Sequence, residues 1–494
     1  MQQLSWMDHA FFLFETPRTP SQVGMVLICD PSTARDGRVT FDDVTRLFRE
    51  RLPLVGILRR RAVFVPLDLD QAYWLEDPNF DLDYHLRHIA LPKPGDWRQF
   101  CVQVARLHSR PLDLTRPPWE CTMIEGLDGI DGLPRGSFAL SLKIHHAAID
   151  GMAGAELVNV ISDQTADATS PVIEDTWQPD LQPSSWSLLA RAGVHAVARP
   201  LGAMRVAAAN LAPVVLERWE RRDQRPGRIG SVPRTRFNGK VSAHRVFDAV
   251  RFPLEVMRGI KAAVPGATVN DVCLAYVGGG LLRYLDAKGE HPERSLVATV
   301  PISTRRPDQR PGEGNEITMM QVPMHTDLDD PLARLTAIYE STSASKTAQH
   351  GVAAETLREI SQAIPGALLG VAMRTFAALP QGGPLVSNTL VTNVPGPKEP
   401  LYLAGARVDW TTGMGPLVDG VGLVHAAGSY VDDFLCQITA DRDQLPDIEF
   451  YMECLNDSIE ELKTIARPAP AKTAAKNAAK NATGRSRPRK AAPR

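Results

Sequence analysis

The chain has 494 residues, of which 44% are hydrophobic and 23% charged, with 55 Lys and Arg against 57 Asp and Glu. That length exceeds what one core usually holds, so two domains of a large soluble enzyme are expected. Its six scattered cysteines (Cys29, Cys101, Cys121, Cys273, Cys436 and Cys454) show neither metal nor disulfide spacing, which points to reduced thiols in a cytoplasmic protein.

The first residues carry Asp8 and Glu15 and lack a basic leader followed by an apolar run. The most apolar stretches are short or broken by Arg205 or Arg374, so no membrane-spanning helix is expected. Residues 1–178 read as a first lobe of mixed strands and helices. Within it, Phe138 to Ile144 is apolar at every second position, the mark of a half-buried strand. His145-His146-Ala147-Ala148-Ile149-Asp150-Gly151 follows directly. If pairing persists into this motif, strand period sets His146 on the inward face of Phe138, Leu140, Leu142 and Ile144 and turns His145 away.

A free imidazole titrates near pH ~6.5, so its neutral, proton-accepting form is well populated near neutrality. His146 is therefore the candidate general base. His145 either bonds a neighbouring strand or loop or joins the chemistry. Asp150 precedes a turn that opens at Gly151 into a helix with small residues at its start. It is either the N-cap that fixes this turn or a participant in catalysis, and both roles organise the site.

Residues 179–239 read as a linker, opening with Pro179, Pro183 and Ser184-Ser185 and continuing as helix from 186 to about 222. No acidic residue occurs between Leu181 and Leu216, while Arg191, Arg199 and Arg205 interrupt the apolar positions. Such a basic amphipathic helix either lies on an anionic membrane or bridges two lobes.

Residues 240–466 form a second lobe of alternating strands and helices. A helix is expected from Val269 to about Ala287, where Asn270 and Asp271 either cap it or orient a cleft. Gly278-Gly279-Gly280 lies inside that helix at a cost of about 1 kcal/mol each. The cost implies close approach of another backbone or of an acyl chain, or else loose packing. Strands are expected at Leu296 to Ile302 and Leu385 to Val394. The tail, residues 467–494, holds nine Lys and Arg and no acid; without it the chain has 46 Lys and Arg against 57 Asp and Glu. Its Pro, Ala and Lys content builds no core, so disorder is expected.

The motif matches the His-His-x-x-x-Asp-Gly signature of CoA-dependent acyltransferases, and residues 1 to about 465 resemble the bacterial wax ester synthase/diacylglycerol acyltransferase family. Other segments agree: Leu4-Ser5-Trp6-Met7-Asp8, Gln22-Val23-Gly24, Pro111-Leu112-Asp113, Pro118-Trp119-Glu120, Asn270-Asp271, Val300-Pro301-Ile302-Ser303-Thr304-Arg305, Gly314-Asn315 and Asn393-Val394-Pro395-Gly396-Pro397. Trp6 stands where the family usually has proline, and Pro118 where it has leucine.

The resemblance implies an α/β fold of two chloramphenicol-acetyltransferase-like lobes with a tunnel between them. It also implies transfer of a fatty acyl group from acyl-CoA, as co-substrate, to diacylglycerol or a long-chain alcohol. No cofactor is called for, and contact with a membrane or lipid-droplet surface follows from such substrates. Related acyltransferases pair an arginine in the Val-Pro-x-x-x-Arg region with the motif aspartate, which here selects Arg305 for Asp150.

Adjacent strand histidines face opposite ways and no third ligand has convincing spacing, which argues against a metal site. The absence of Gly-x-Ser-x-Gly argues against a serine hydrolase. The alternative from another class is a non-catalytic protein that binds lipid through the lobes or nucleic acid through the tail, although no specific nucleic acid is expected.

Overall fold

Two six-stranded sheets organise the chain in a computed structural model that describes residues 1–149, 151–168, 174–199, 232–303, 317–349 and 385–466. The strands of the first sheet are β2 (Gln22–Asp30), β5 (Leu86–Ala90), β6 (Trp119–Glu125), β7 (Phe138–His145), β12 (Tyr402–Leu403) and β13 (Ala406–Met414). Their order is β12-β13-β2-β7-β6-β5. The second sheet contains β8 (Arg245–Pro253), β9 (Val297–Ser303), β10 (Ile317–Pro323), β11 (Thr389–Pro395), β14 (Leu423–Tyr430) and β15 (Asp433–Asp441), in the order β10-β9-β11-β14-β15-β8. A small sheet joins β1 (Gln2–Gln3), β4 (Tyr73–Glu76) and β3 (Arg60–Val63). The helices are α1 (Trp6–Phe14), α2 (Phe41–Arg51), α3 (Leu82–His85), α4 (Trp97–Ser109), α5 (Gly151–Ile161), α6 (residues 185–199), α7 (Leu254–Lys261), α8 (Val269–Ala287), α9 (Pro331–Gln349) and α10 (Ile448–Lys463).

β7 is buried at all eight positions, not half-buried as its alternation suggests. One face packs with Leu47 and Phe48 of α2 and Leu157, Val158 and Ile161 of α5. The other contributes Ala139 to a core with Phe100 and Val104 of α4. Lys143, on that second face, is satisfied internally. The Lys143 ammonium donates to the carbonyls of Leu107 (3.2 Å) and Arg110 (2.9 Å), where α4 ends, and pairs with Glu120 at 3.2 Å. Burial pushes its pKa down and Glu120 opposes that shift. A helix C-terminus offers unpaired carbonyls and negative partial charge, so a lysine there belongs inside.

After residue 240 the chain returns to the first sheet for β12 and β13 and then goes back to the second for β14, two crossings beyond the single one that a linear division implies. β13 leaves the second lobe and pairs antiparallel with β2, from Arg407 opposite Asp30 to Met414 opposite Gly24. Pairing covers an edge that β2 would otherwise expose. Gly413 is needed there, because a β-carbon on it would lie 2.5 Å from the Gly24 carbonyl oxygen. Trp97 of α4 reinforces the junction, donating to Asp248 of β8 at 2.8 Å and stacking on Trp410 at 4.5 Å.

α8 occupies the span expected from sequence. Thr268 and Asp271 form a reciprocal capping box, and Asp271, fully buried, also accepts from Thr342 Oγ1 at 2.7 Å. The three glycines mark a close approach of α10: a β-carbon on Gly279 would overlap Ser458 Oγ, and one on Gly280 would lie 2.5 Å from Leu455 Cδ2. A β-carbon on Gly278 would lie 3.1 Å from Met324 Cβ.

Of the helix expected over 186 to about 222, the portion from 185 to 199 is helical and the remainder lies outside the described residues. α6 packs Leu188 and Ala192 against Val65 and Tyr73 beside the small sheet. Arg199 is drawn inward to Asp70 (2.6 Å) and Gln3 (2.7 Å), so it does not share an outward basic face. The tail from 467 onward also lies outside the described residues.

Candidate functional site

Pairing with β2 ends at His145, opposite Gln22. There the chain leaves the sheet under backbone control. The His145 amide donates to the Pro118 carbonyl (2.9 Å), the His146 amide to Ser21 (2.7 Å) and the Ala148 amide back to His145 (2.9 Å). The contact from Pro118 is made by its carbonyl, which proline and leucine supply alike. Next to it Trp119 is sealed in the core, donating to Leu58 at 2.7 Å and stacked on His85 at 4.5 Å.

The two motif rings differ in their burial. His145, expected to point off the core face, is fully buried because α1 covers the strand end. Its Nδ1 accepts from the Ala147 amide at 3.1 Å, which places the ring proton on Nε2, and Nε2 donates to the Glu15 carboxylate at 3.0 Å. Both nitrogens are therefore committed to the scaffold. His146 lies just beyond the strand, is half-buried, and stacks face to face on Phe11 with centroids 4.1 Å apart.

α1 is held in place at both ends. Ser5 caps it, accepting from the Asp8 amide at 3.1 Å and donating to the Asp8 carboxylate at 2.7 Å. Beyond its C-terminus, Arg18 forks onto Asp419 of the second lobe with two contacts of 3.2 Å, and Arg245 donates to the Arg18 carbonyl at 2.5 Å. The strap that carries Glu15 is thus tied to both lobes.

Glu15→Ala is expected to cost about 1–3 kcal/mol of stability, because it leaves a buried Nε2–H donor without an acceptor. Glu15→Gln, whose amide oxygen still accepts, should recover most of that in urea unfolding. Equal losses for both variants would show that the bond to His145 contributes nothing.

Other expected site residues are distributed as follows. Gly151 is the first residue of α5, on the far side of the motif turn. Asp150 and Arg305 lie outside the described residues. Asn270 is half-buried in the first turn of α8, and the hydrogen bonds of Asp271 run to Thr268 and Thr342 rather than to the motif. Sequence reasoning missed Phe11, Phe12 and Glu15. The available signal was two adjacent aromatics near the end of a capped amphipathic segment, but nothing local connects residue 11 with residue 146.

Two further histidines are excluded by burial. His108 and His425 have pKa values pushed down to about 3 by desolvation. His425 is held between Tyr451 (2.7 Å) and Thr389 (3.0 Å) inside the second lobe. Among the described residues, no group of three or more His, Cys, Asp or Glu is placed to hold a metal ion. Among the same residues no helix is long and apolar enough to cross a membrane.

Comparison with known proteins adds the following. The wax ester synthase/diacylglycerol acyltransferase catalytic domain matches residues 4–273, and the C-terminal domain of the same family matches residues 313–463. A provisionally named diacylglycerol O-acyltransferase of Mycobacterium tuberculosis is 31% identical over 94% of this chain and 98% of its own. A second from that organism is 33% identical over 95% and 100%. Among solved structures, the wax ester synthase/diacylglycerol acyltransferase of Marinobacter aquaeolei VT8 superposes with a TM-score of 0.65 at 24% identity, covering 94% of this chain and 99% of that one. The first condensation domain of the calcium-dependent antibiotic synthetase gives 0.56 at 16% identity, covering 95% and 98%. The fold is therefore the two-lobed chloramphenicol-acetyltransferase-like one that the motif implies.

Proposed function

The chain belongs to the wax ester synthase/diacylglycerol acyltransferase family and is an acyltransferase; from that premise we propose that it moves a long-chain fatty acyl group from acyl-CoA to a lipid hydroxyl, with His146 as general base. Diacylglycerol is the first acceptor, giving triacylglycerol, and long-chain alcohols, giving wax esters, are the second. The observation that carries this reading is the difference in burial of the motif rings: His145 is sealed in the core, whereas His146 stands half-buried past the strand end, with part of its surface open. The non-catalytic lipid- or nucleic-acid-binding alternative is not favoured by the family match.

The chemistry follows from the reactants. A thioester is already activated, so the work left to the protein is to align an alcohol, remove its proton and stabilise the tetrahedral oxyanion. The hydroxyl oxygen bonds to the thioester carbonyl carbon as its proton passes to the His146 imidazole. The C–S bond then breaks and the imidazolium returns the proton to the CoA sulfur. No acyl-enzyme forms and no cofactor is consumed. In this reading His145 holds the turn, Asp150 and Gly151 launch α5, and Arg305 forks onto Asp150 to join the lobes. Asn270 and Asp271 support the second lobe from the start of α8.

Incubating the purified protein with labelled palmitoyl-CoA and either diacylglycerol, hexadecanol or no acceptor tests the proposal. Labelled triacylglycerol in the first case is the expected product. Label remaining as palmitoyl-CoA with every acceptor would end it.

The same substrates imply contact with a lipid surface, and α6 offers the face for it. Trp186, Val194 and Val197 are 81%, 66% and 66% exposed on the side opposite Leu188 and Ala192, with Leu181 exposed before them and Arg191 exposed beside them. A bilayer containing anionic headgroups is the partner that suits an apolar stripe flanked by arginine and free of acids. Val194→Asp with Val197→Asp should reduce co-sedimentation with phosphatidylglycerol-containing vesicles while leaving acyl transfer in detergent micelles unchanged. Undiminished vesicle binding would remove α6 from the reading.

A further inference from the structure

The N-terminal helix presents two neighbouring phenylalanines to the two neighbouring histidines of the motif. Phe11 lies over His146 with planes 12° apart, and Phe12 over His145 at the same 4.1 Å centroid separation with planes 8° apart. The pairs are not equivalent. Phe12 is buried among Phe64 and Trp74, and its histidine is fully hydrogen-bonded. Phe11 is half-buried and covers the ring that the proposed reaction requires to gain and lose a proton.

We propose that Phe11 is a positioning residue for acyl transfer: its ring face fixes the plane of the His146 imidazole and stabilises the imidazolium formed when that ring takes the acceptor proton. The inference rests on the assignment of His146 as base. Its physical ground is the aromatic quadrupole. A benzene face carries negative potential, so it attracts an imidazolium more strongly than the neutral ring that precedes it. An interaction that grows as charge develops lowers the barrier rather than simply strengthening substrate binding. A saturated side chain of similar bulk would fill the space without supplying that field.

The ionisable groups of α1 and of Glu15, which follows it, have internal partners of their own. Asp8 bonds Ser5, His9 Nδ1 accepts from the Ala72 amide at 3.3 Å, and Glu15 holds His145. Burial also lowers the pKa of His9. Asp150, which precedes Gly151 in sequence, lies outside the described residues.

Steady-state kinetics of Phe11→Leu, Phe11→Met and Phe11→Trp, together with NMR titration of His146 in protein carrying 13C-labelled histidine, test the proposal. The two apolar variants should lower kcat about tenfold, with KM for acyl-CoA within about twofold. Losing the aromatic face disfavours the protonated ring, so the His146 titration and the acid limb of the rate profile should both move to lower pH. Phe11→Trp should restore kcat and the titration.

Unchanged kcat together with an unchanged His146 titration in Phe11→Leu and Phe11→Met would overturn the inference. So would an equal loss in all three variants, which is the signature of packing alone. Failure of the underlying assignment looks different: His146→Ala would retain turnover, or the titration would move in Phe11→Leu without any change in kcat.

Discussion

Replacing His146 with alanine is expected to lower kcat for ester formation by about a hundred- to ten-thousand-fold, the range that a positioned general base supplies. KM for acyl-CoA should change little, because the imidazole acts on the acceptor proton in the transition state rather than on the bound thioester. The residual rate would come from alignment of the reactants and from stabilisation of the oxyanion. Folding should survive, since the backbone bonds that shape the turn, from His146 to Ser21 and from His145 to Pro118, involve no His146 side-chain atom. The measurement is transfer of labelled palmitate to diacylglycerol, with unfolding midpoints compared in parallel. Wild-type turnover in a folded His146→Ala protein would remove the imidazole from the mechanism.

Gly279→Val is expected to destabilise the protein by about 3 kcal/mol, although a glycine inside a helix ordinarily invites stabilising replacement. The reason is steric. A β-carbon at 279 would overlap the Ser458 hydroxyl, which is fully buried and donates to the Tyr276 carbonyl at 2.8 Å, so it has no room to swing aside. The gain of about 1 kcal/mol from relieving glycine entropy is smaller than the cost of forcing α8 and α10 apart. Gly279→Ala should also lose stability, and Ser458→Gly in the same protein should recover much of that loss, a coupling readable in a double-mutant cycle of urea unfolding. A stabilised Gly279→Ala protein would mean that the helices are further apart than described.

Several parts of the molecule follow from local patterning. Thr268 three residues before Asp271 specifies a capping box, and α8 begins there. The strand expected at Leu296 to Ile302 is β9 within one residue at each end, whereas the one expected from Leu385 to Val394 begins only at Thr389 as β11. β7 shows the limit. Its alternation reads as one wet face, yet Ser141 and Lys143 are buried, because α4 ends against that face and its carbonyls take up the ammonium. Amphipathic spacing reports which side chains differ, not what will cover them.

What the sequence by itself determined is the family, the two-lobed α/β fold and the strand end that carries His145 and His146, since each rests on residues close together in the chain or on segments in fixed order. Tertiary structure alone decided which ring is sealed in the core and which stays half-buried. Glu15 reaches His145 across 130 positions and the Phe11 and Phe12 rings close over the pair, contacts between an opening helix and a central strand. It also decided that β13 crosses to the first sheet, because an unpaired edge of β2 is satisfied by any strand of suitable register and no local signal names the donor. Side-chain period is set along one strand, whereas hydrogen-bond partners and ring stacks are set by what the rest of the chain brings to it.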